Sequence, residues 1–224
     1  MERILLSTAD GSHTISIPSR GLTYHSMHGA IQESRHVFIE AGLQLMIAKG
    51  INHINILEIG FGTGLNALLT LDAAKNISIH YETLEPEPLE TYIINQLNYC
   101  DQLGREDLEE KFLKMHQAKW KSEISIQPGF TFIKHSNTIT EFSSQNKFDL
   151  IYFDAFAPGE QPGLWTEEIF SKLFAFLESE GYLVTYCSKS EVRRAMVTAG
   201  FKVEKIPGPY GKREMVRAIK PAGH

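Results

Sequence analysis

The chain predicts a doubly wound α/β protein, a mostly parallel sheet covered by helices on both faces in a Rossmann-like arrangement, and three observations lead there. From residue 51 onward, short apolar runs of strand length alternate with stretches whose apolar residues recur at helical spacing. Between the run at 54–59 and the helical pattern at 65–74 stand Gly60, Gly62 and Gly64, the kind of turn that brings backbone N–H groups close to a ligand at a helix N-terminus. The 224 residues, 42% hydrophobic and 22% charged, suffice for one full core of ordinary globular composition.

Each element has its own local reason. Residues 3–8 and 13–17 flank Ala9-Asp10-Gly11-Ser12, a β-hairpin with a glycine-containing turn, and 34–49 carry a helical pattern. These first fifty residues read as a hairpin and helix extension of one domain, 51–224. The next strand is expected at 77–84, followed by helical stretches at 87–98 and 101–117. Further strands are expected at 130–135, 148–154, 181–187, 201–206 and 214–219, with helices at 166–178 and 191–199. The last two strands are joined through Pro207-Gly208-Pro209-Tyr210-Gly211 and are close enough to be antiparallel neighbours, so the final strand is antiparallel. Repeats and low-complexity tracts are absent.

Composition narrows the functional classes. No apolar run is long enough to span a bilayer and no signal peptide opens the sequence, so a cytoplasmic protein without membrane contact is expected. Cys100 and Cys187 follow no metal or redox spacing and read as free thiols in a reducing compartment. The net charge of −5 argues against a surface coated for nucleic acid, yet residues 189–220 hold nine Lys and Arg against three Glu, a local excess of +6. That stretch is either a solvated face or a grip for a polyanion. His25, His28 and His36 lack a Cys or carboxylate at ligand spacing, so no metal is expected.

Two motifs carry the chemistry. Dinucleotide folds favour G-x-G-x-x-G, whereas here the glycines alternate and Glu58 stands two residues before the first. A carboxylate there repels a pyrophosphate and attracts the ammonium of a methionine moiety, which favours S-adenosylmethionine over a nicotinamide cofactor. Glu85 follows Gly64 by 21 residues, where such folds hold ribose hydroxyls. The second motif is Asp154, at the carboxyl end of the apolar run in Phe148-Asp149-Leu150-Ile151-Tyr152-Phe153-Asp154-Ala155-Phe156-Ala157-Pro158. Open α/β sheets bind ligands at that end, and a carboxylate there can orient an amine nucleophile or simply hold a turn. Asp149, at the opposite end of the strand, is expected to be structural.

Four segments resemble one family: GAIQESRHVFIEAGL (29–43), LEIGFGTGLNALL (57–69), YFDAFAPGEQPGLWT (152–166) and PYGKREM (209–215). The chain resembles the methyltransferase domain of the bifunctional tRNA enzyme that makes 5-methylaminomethyl-2-thiouridine at the wobble position, and its stand-alone relatives. The resemblance implies an S-adenosylmethionine-dependent methyltransferase acting on the primary amine of 5-aminomethyl-2-thiouridine at position 34 of tRNA. It assigns Asp154 as the active-site acid. Glu58, Gly60, Phe61, Gly62, Thr63, Gly64, Asn66 and Glu85 become cofactor contacts, with Asp154 and Phe156 beside them. Lys212, Arg213 and Glu214 become substrate contacts. Phe156 and Trp165 read either as walls for a stacked base or as core. The bifunctional form carries a flavin-dependent oxidase after this domain; with the chain stopping at His224, no flavin is expected in this chain and the oxidase is expected on another polypeptide if present.

One departure stands out. Relatives show Gly-Asp after the third strand, where an acid reads the adenine amino group, but this chain has Lys134-His135-Ser136-Asn137. The amide of Asn137 can take that place. Rival readings remain: a methyltransferase or aminopropyltransferase of the same fold for a small amine, which has no need of the basic segment, and a non-catalytic RNA-binding module, which has no need of Asp154.

Overall fold

The computed structural model describes residues 2–223. A small N-terminal sheet is formed by β1 (Ile4–Ser7), β2 (His13–Ile17) and β3 (Leu22–Thr23). A larger sheet is formed by β4 (His53–Ile59), β5 (Ser78–Leu84), β6 (Ile124–Gln127), β7 (Phe130–His135), β8 (Phe148–Phe153), β9 (Leu177–Thr185), β10 (Lys202–Pro207) and β11 (Glu214–Ile219). Its strands lie in the order β10-β11-β9-β8-β4-β5-β7-β6. The five central strands run parallel, and antiparallel pairs close the edges: β6 on β7, β11 on β9, and β10 on β11. This is the expected doubly wound sheet with its antiparallel final strand.

The central strands are apolar on both sides because both sides are covered. Ile54, Ile56, Tyr81, Phe132 and Tyr152 pack with Phe38, Leu68 and Phe112 from the helices at 30–48, Leu65–Ala73 and Glu109–Gln117. Leu57, Leu84, Ile151 and Phe153 pack on the opposite face with Phe170, Leu173 and Met196 from the helices Glu167–Phe176 and Ser190–Thr198. Thr166 caps the first of these, its hydroxyl accepting from the Ile169 N–H at 3.4 Å. The helix at 30–48 is wound as a π-helix through Arg35–Leu43. Gly42 lets it lie close on the sheet, since a Cβ there would come 3.3 Å from both Leu150 and Val184.

Several boundaries differ from the pattern of the sequence. The helix expected at 34–49 begins at Ala30, and that expected at 87–98 shrinks to Thr91–Ile94. Pro86 and Pro88 precede it and disfavour helical backbone in the residues before them. The helix at 101–117 is broken at Gly104, which adopts a left-handed conformation at φ 62°. β9 starts at Leu177, four residues earlier than expected, because Leu177 pairs with Phe148 across an irregular register. β3 and β6 carried too little pattern to be read: one has two residues, the other is a four-residue edge strand.

The N-terminal extension is tied to the ligand end of the main sheet. The guanidinium of Arg3 donates to the carbonyls of Glu87 and Pro88 and to the Glu90 carboxylate, each at 3.0 Å. Ile15 belongs to the same buried cluster as the 30–48 helix. Residues 22–26 are thereby held over the carboxyl ends of the parallel strands.

Candidate active site

At the end of β4 the chain turns through Gly60, Gly62 and Gly64, all at positive φ. The Gly60 N–H donates to the Leu84 carbonyl at 3.0 Å, and a Cβ on Gly60 would come 2.7 Å from the Asp154 carbonyl oxygen. The turn is therefore packed backbone to backbone between the ends of β5 and β8, which is possible only without a side chain. Gly62 presents its N–H to the Glu85 carboxylate at 2.7 Å, and a Cβ there would come 3.2 Å from the Tyr24 ring.

The acid side chains at these strand ends are shared between backbone and cavity. Each Glu85 oxygen accepts one backbone N–H, from Gly62 at 2.7 Å and from Glu87 at 2.8 Å. Burial pushes the Glu85 carboxyl above its usual range against those bonds. Asp154 accepts a hydrogen bond from the Asn66 amide at 2.8 Å. Enclosure by protein pushes its carboxyl up to about 7, opposed by Asn66 and by the charge of Lys212. His25 is buried, and desolvation holds it down to about 4, so it is neutral at pH 7. Its Nδ1 faces the Thr14 hydroxyl at 3.2 Å.

A cavity of about 530 Å³ opens between the turn, the β8 loop and the N-terminal segment. It gathers Gly60, Phe61, Gly62, Thr63, Asn66 and Glu85 from the first motif, Asp154 and Phe156 from the second, and Asn137 and Lys212 from further along the chain. Five anticipated residues do not line it. Glu58 is fully buried beneath the turn and accepts from the Thr83 hydroxyl at 2.8 Å, so its expected contact with a ligand ammonium is corrected to an internal one. Gly64 packs against His116 instead, where a Cβ would approach the ring to 2.8 Å. Trp165 lies in the core edge-on to Phe153, its indole N–H donating to the Phe156 carbonyl at 2.8 Å; it shapes the loop that presents Phe156. Glu214 pairs with Lys205 at 2.8 Å, and Arg213 points to solvent.

Sequence patterns missed the other walls. Tyr24, from the N-terminal segment, meets Phe156 edge to face with ring centroids 5.1 Å apart. Glu33 is buried and bridges the two chain ends: one oxygen accepts from the Ser26 N–H at 2.7 Å, the other from Lys212 Nζ at 2.6 Å. The ammonium of Lys212 also lies 4.3 Å from the Tyr186 ring centroid, and the Tyr186 hydroxyl donates to the Ala155 carbonyl at 2.8 Å. The signal for Glu33 is a carboxylate on the apolar side of a helix, visible only once the helix is known to start at Ala30.

These features fit S-adenosylmethionine. Four carboxylates (Glu33, Glu85, Glu87 and Asp154) against two cations (Arg20 and Lys212) suit a cationic ligand and oppose a pyrophosphate. Glu85 keeps lone pairs free for vicinal hydroxyls after its two backbone bonds. Among the described residues there is no group of three or more His, Cys, Asp or Glu arranged to hold a metal ion, and no helix long and apolar enough to cross a membrane.

Comparison with known proteins agrees with this geometry. The chain is 29% identical over 212 residues to the tRNA 5-methylaminomethyl-2-thiouridine biosynthesis bifunctional protein MnmC of Campylobacter hominis, covering 87% of this chain and 29% of that protein. The same protein of Leptospira interrogans is 29% identical over 215 residues, covering 86% and 32%. The chain thus spans less than a third of the length of these bifunctional relatives. The crystal structure of MNMC2 from Aquifex aeolicus superposes with a TM-score of 0.80 at 27% identity, covering 99% of this chain and 71% of that one. Spermidine synthase from Thermotoga maritima, at 15% identity and a TM-score of 0.54, shares the fold. A family model described as S-adenosyl-L-methionine-dependent methyltransferase matches residues 103–221, more than half of the chain, which therefore belongs to that family.

Proposed function

We propose that this methyltransferase acts on tRNA, transferring a methyl group to the primary amine of 5-aminomethyl-2-thiouridine at wobble position 34. The observation that carries the reading is that Asp154 and Lys212, within electrostatic reach of each other, both line an acidic, cofactor-sized cavity, beside a segment with a +6 excess of charge. The relatives named for this tRNA modification support the choice of substrate.

S-adenosylmethionine supplies a methyl group on a sulfonium, which a neutral amine displaces in line. The protein's share is mostly orientation. Asn66 fixes the Asp154 carboxylate, which accepts a hydrogen bond from the amine and stabilises the positive charge developing on nitrogen. A carboxylate alone also favours the protonated, unreactive amine. Lys212 opposes that, and Glu33 holds its ammonium in place at 2.6 Å. Phe156, braced by Tyr24 and by Trp165 through its carbonyl, offers a ring face to the uracil. A flavin-dependent oxidase on another domain or polypeptide is the partner that would deliver the amine, and the cytoplasm is where tRNA is found.

The test is to incubate the protein with S-adenosylmethionine and tRNA carrying 5-aminomethyl-2-thiouridine, and to read the nucleosides by mass spectrometry. One added methyl on that nucleoside is expected. Methylation of a free polyamine with the tRNA left untouched would replace this reading with that of a small-amine enzyme. Calorimetry with S-adenosylhomocysteine checks the cofactor separately: Gly62→Val, which forces a branched side chain toward Tyr24 at φ 51°, is expected to abolish binding.

A further inference from the structure

We infer that Tyr210, propped on His28 two residues before the cavity-lining Lys212, is a stacking platform for an unpaired base of an RNA loop, the neighbour of the base that enters the cavity. The inference rests on the tRNA reading and adds to it a second contact with its own residues.

Tyr210 is 72% exposed, the most exposed large hydrophobic side chain among the described residues. It sits at the tip of Pro207-Gly208-Pro209-Tyr210-Gly211, which is held rigidly. The Lys212 N–H donates to the Pro209 carbonyl at 2.8 Å and the Gly208 N–H to the Arg213 carbonyl at 3.2 Å. Gly211, at φ 86°, lies so close to His28 that a Cβ would collide with the imidazole. The His28 ring meets Tyr210 edge to face at 5.3 Å and 81°, so one side of the phenol is supported while most of it stays in water. Prolines and a glycine pressed on a histidine thus hold a large aromatic ring away from the core, two residues before Lys212 reaches into the cavity.

The surroundings match a polyanion. The exposed Arg213 follows Tyr210 by three residues, and it and Arg193 both lie within electrostatic reach of the Glu214 carboxylate, so two cations stand near the loop that carries Tyr210. An aromatic face among cations is the means by which proteins bind single-stranded nucleic acid: phosphates meet the charges, and any base can stack. An anionic membrane would use the cations without needing a braced ring.

Binding of a fluorescent anticodon stem-loop RNA, followed by anisotropy, tests the platform. Tyr210→Ala is expected to weaken binding about tenfold, His28→Ala less, and Tyr210→Phe to bind like the wild type, because stacking needs the ring and not the hydroxyl. Calorimetry with S-adenosylhomocysteine is expected to be unchanged in all three, showing an intact fold. Wild-type RNA affinity in Tyr210→Ala would overturn the inference, as would an equal loss in Tyr210→Phe. It would also fall if Tyr210→Ala released the protein from phosphatidylserine vesicles while leaving RNA affinity unchanged. Methyl transfer to tRNA by the wild type, measured on the same preparation, separates the two claims. Transfer with Tyr210-independent RNA binding removes the platform and keeps the substrate; Tyr210-dependent binding without transfer does the reverse.

Discussion

Glu58 on β4 and Glu82 on β5 are both buried, lie on adjacent strands, and are offset by one residue in register, so they face opposite sides of the sheet. Glu82 is surrounded by donors: His135 Nε2 at 2.8 Å, His80 Nε2 at 3.1 Å and the Asn146 amide at 2.8 Å. They hold its carboxyl down to about 2, in spite of burial. Glu58 has fewer, with the Thr83 hydroxyl at 2.8 Å foremost. Burial, aided by the charge of Asp154, pushes it up to about 8. Three donors overcome the burial of Glu82, whereas the Thr83 hydroxyl does not overcome the fuller burial of Glu58. The contrast also separates structure from chemistry. The face with too few donors is the one beneath the cavity, and Asp154 at its edge is raised in the same way, as perturbed acids at reactive sites are.

Asp154→Asn tests the reactive side and has the largest expected effect. Turnover should fall on the order of 10², the scale of a positioned polar group acting on a transition state, while cofactor affinity stays within several-fold. Wild-type turnover should rise with pH through about 7 as the carboxyl ionises, and that rise should be missing in the variant. Single-turnover methyl transfer across pH measures both; an unimpaired variant would place Asp154 with Glu82 as a structural acid.

Glu82→Gln should leave methyl transfer intact and lower stability at neutral pH by about 2 kcal/mol, the scale of hydrogen bonds to a charged group. Its folded value of about 2 lies below the ordinary 4.5. The stability it contributes is therefore present above the ordinary value and lost as pH falls toward 2. Urea unfolding at neutral and acid pH should show the gap between variant and wild type closing in acid.

The effect of Glu58→Gln runs the other way. With a folded value of about 8 against 4.5, the native state binds the extra proton between those limits, and stability falls as pH rises through that window. Gln mimics the neutral form and should remove that fall, so that the two proteins melt alike near pH 5 and the variant melts higher near pH 9. A variant that melts lower than the wild type at neutral and alkaline pH, with the gap closing in acid, would place Glu58 with Glu82.

Much of the parallel core was legible because local pattern and tertiary role coincide. Apolar runs such as Phe148–Phe153 cannot be solvated, and Gly60 is demanded by close backbone packing, while Gly62 sits at positive φ against the Tyr24 ring. Trp165 and Phe156 were indistinguishable as text, since an aromatic before a helix serves a core or a binding wall equally well. Only packing against Phe153 and Tyr186 assigns Trp165 to the interior. β6 and β3 were illegible for a different reason: strands this short get their stability from their neighbour's hydrogen bonds and leave little periodicity of their own.

The sequence by itself determined the doubly wound class, the glycine turn, and the acids Glu85 and Asp154 at strand ends, because backbone sterics and apolar periodicity act over a few residues. The tertiary structure alone decided that Glu58 is internal, that Gly64 serves packing, and that Arg213 and Glu214 turn away while Lys212 turns in. It alone joined Glu33 to a lysine 179 positions away and set Tyr24 against Phe156. Side-chain direction and distant partners depend on how the N-terminal sheet and the β10–β11 loop close over the strand ends, and chain closure of that kind leaves no periodic trace in the sequence.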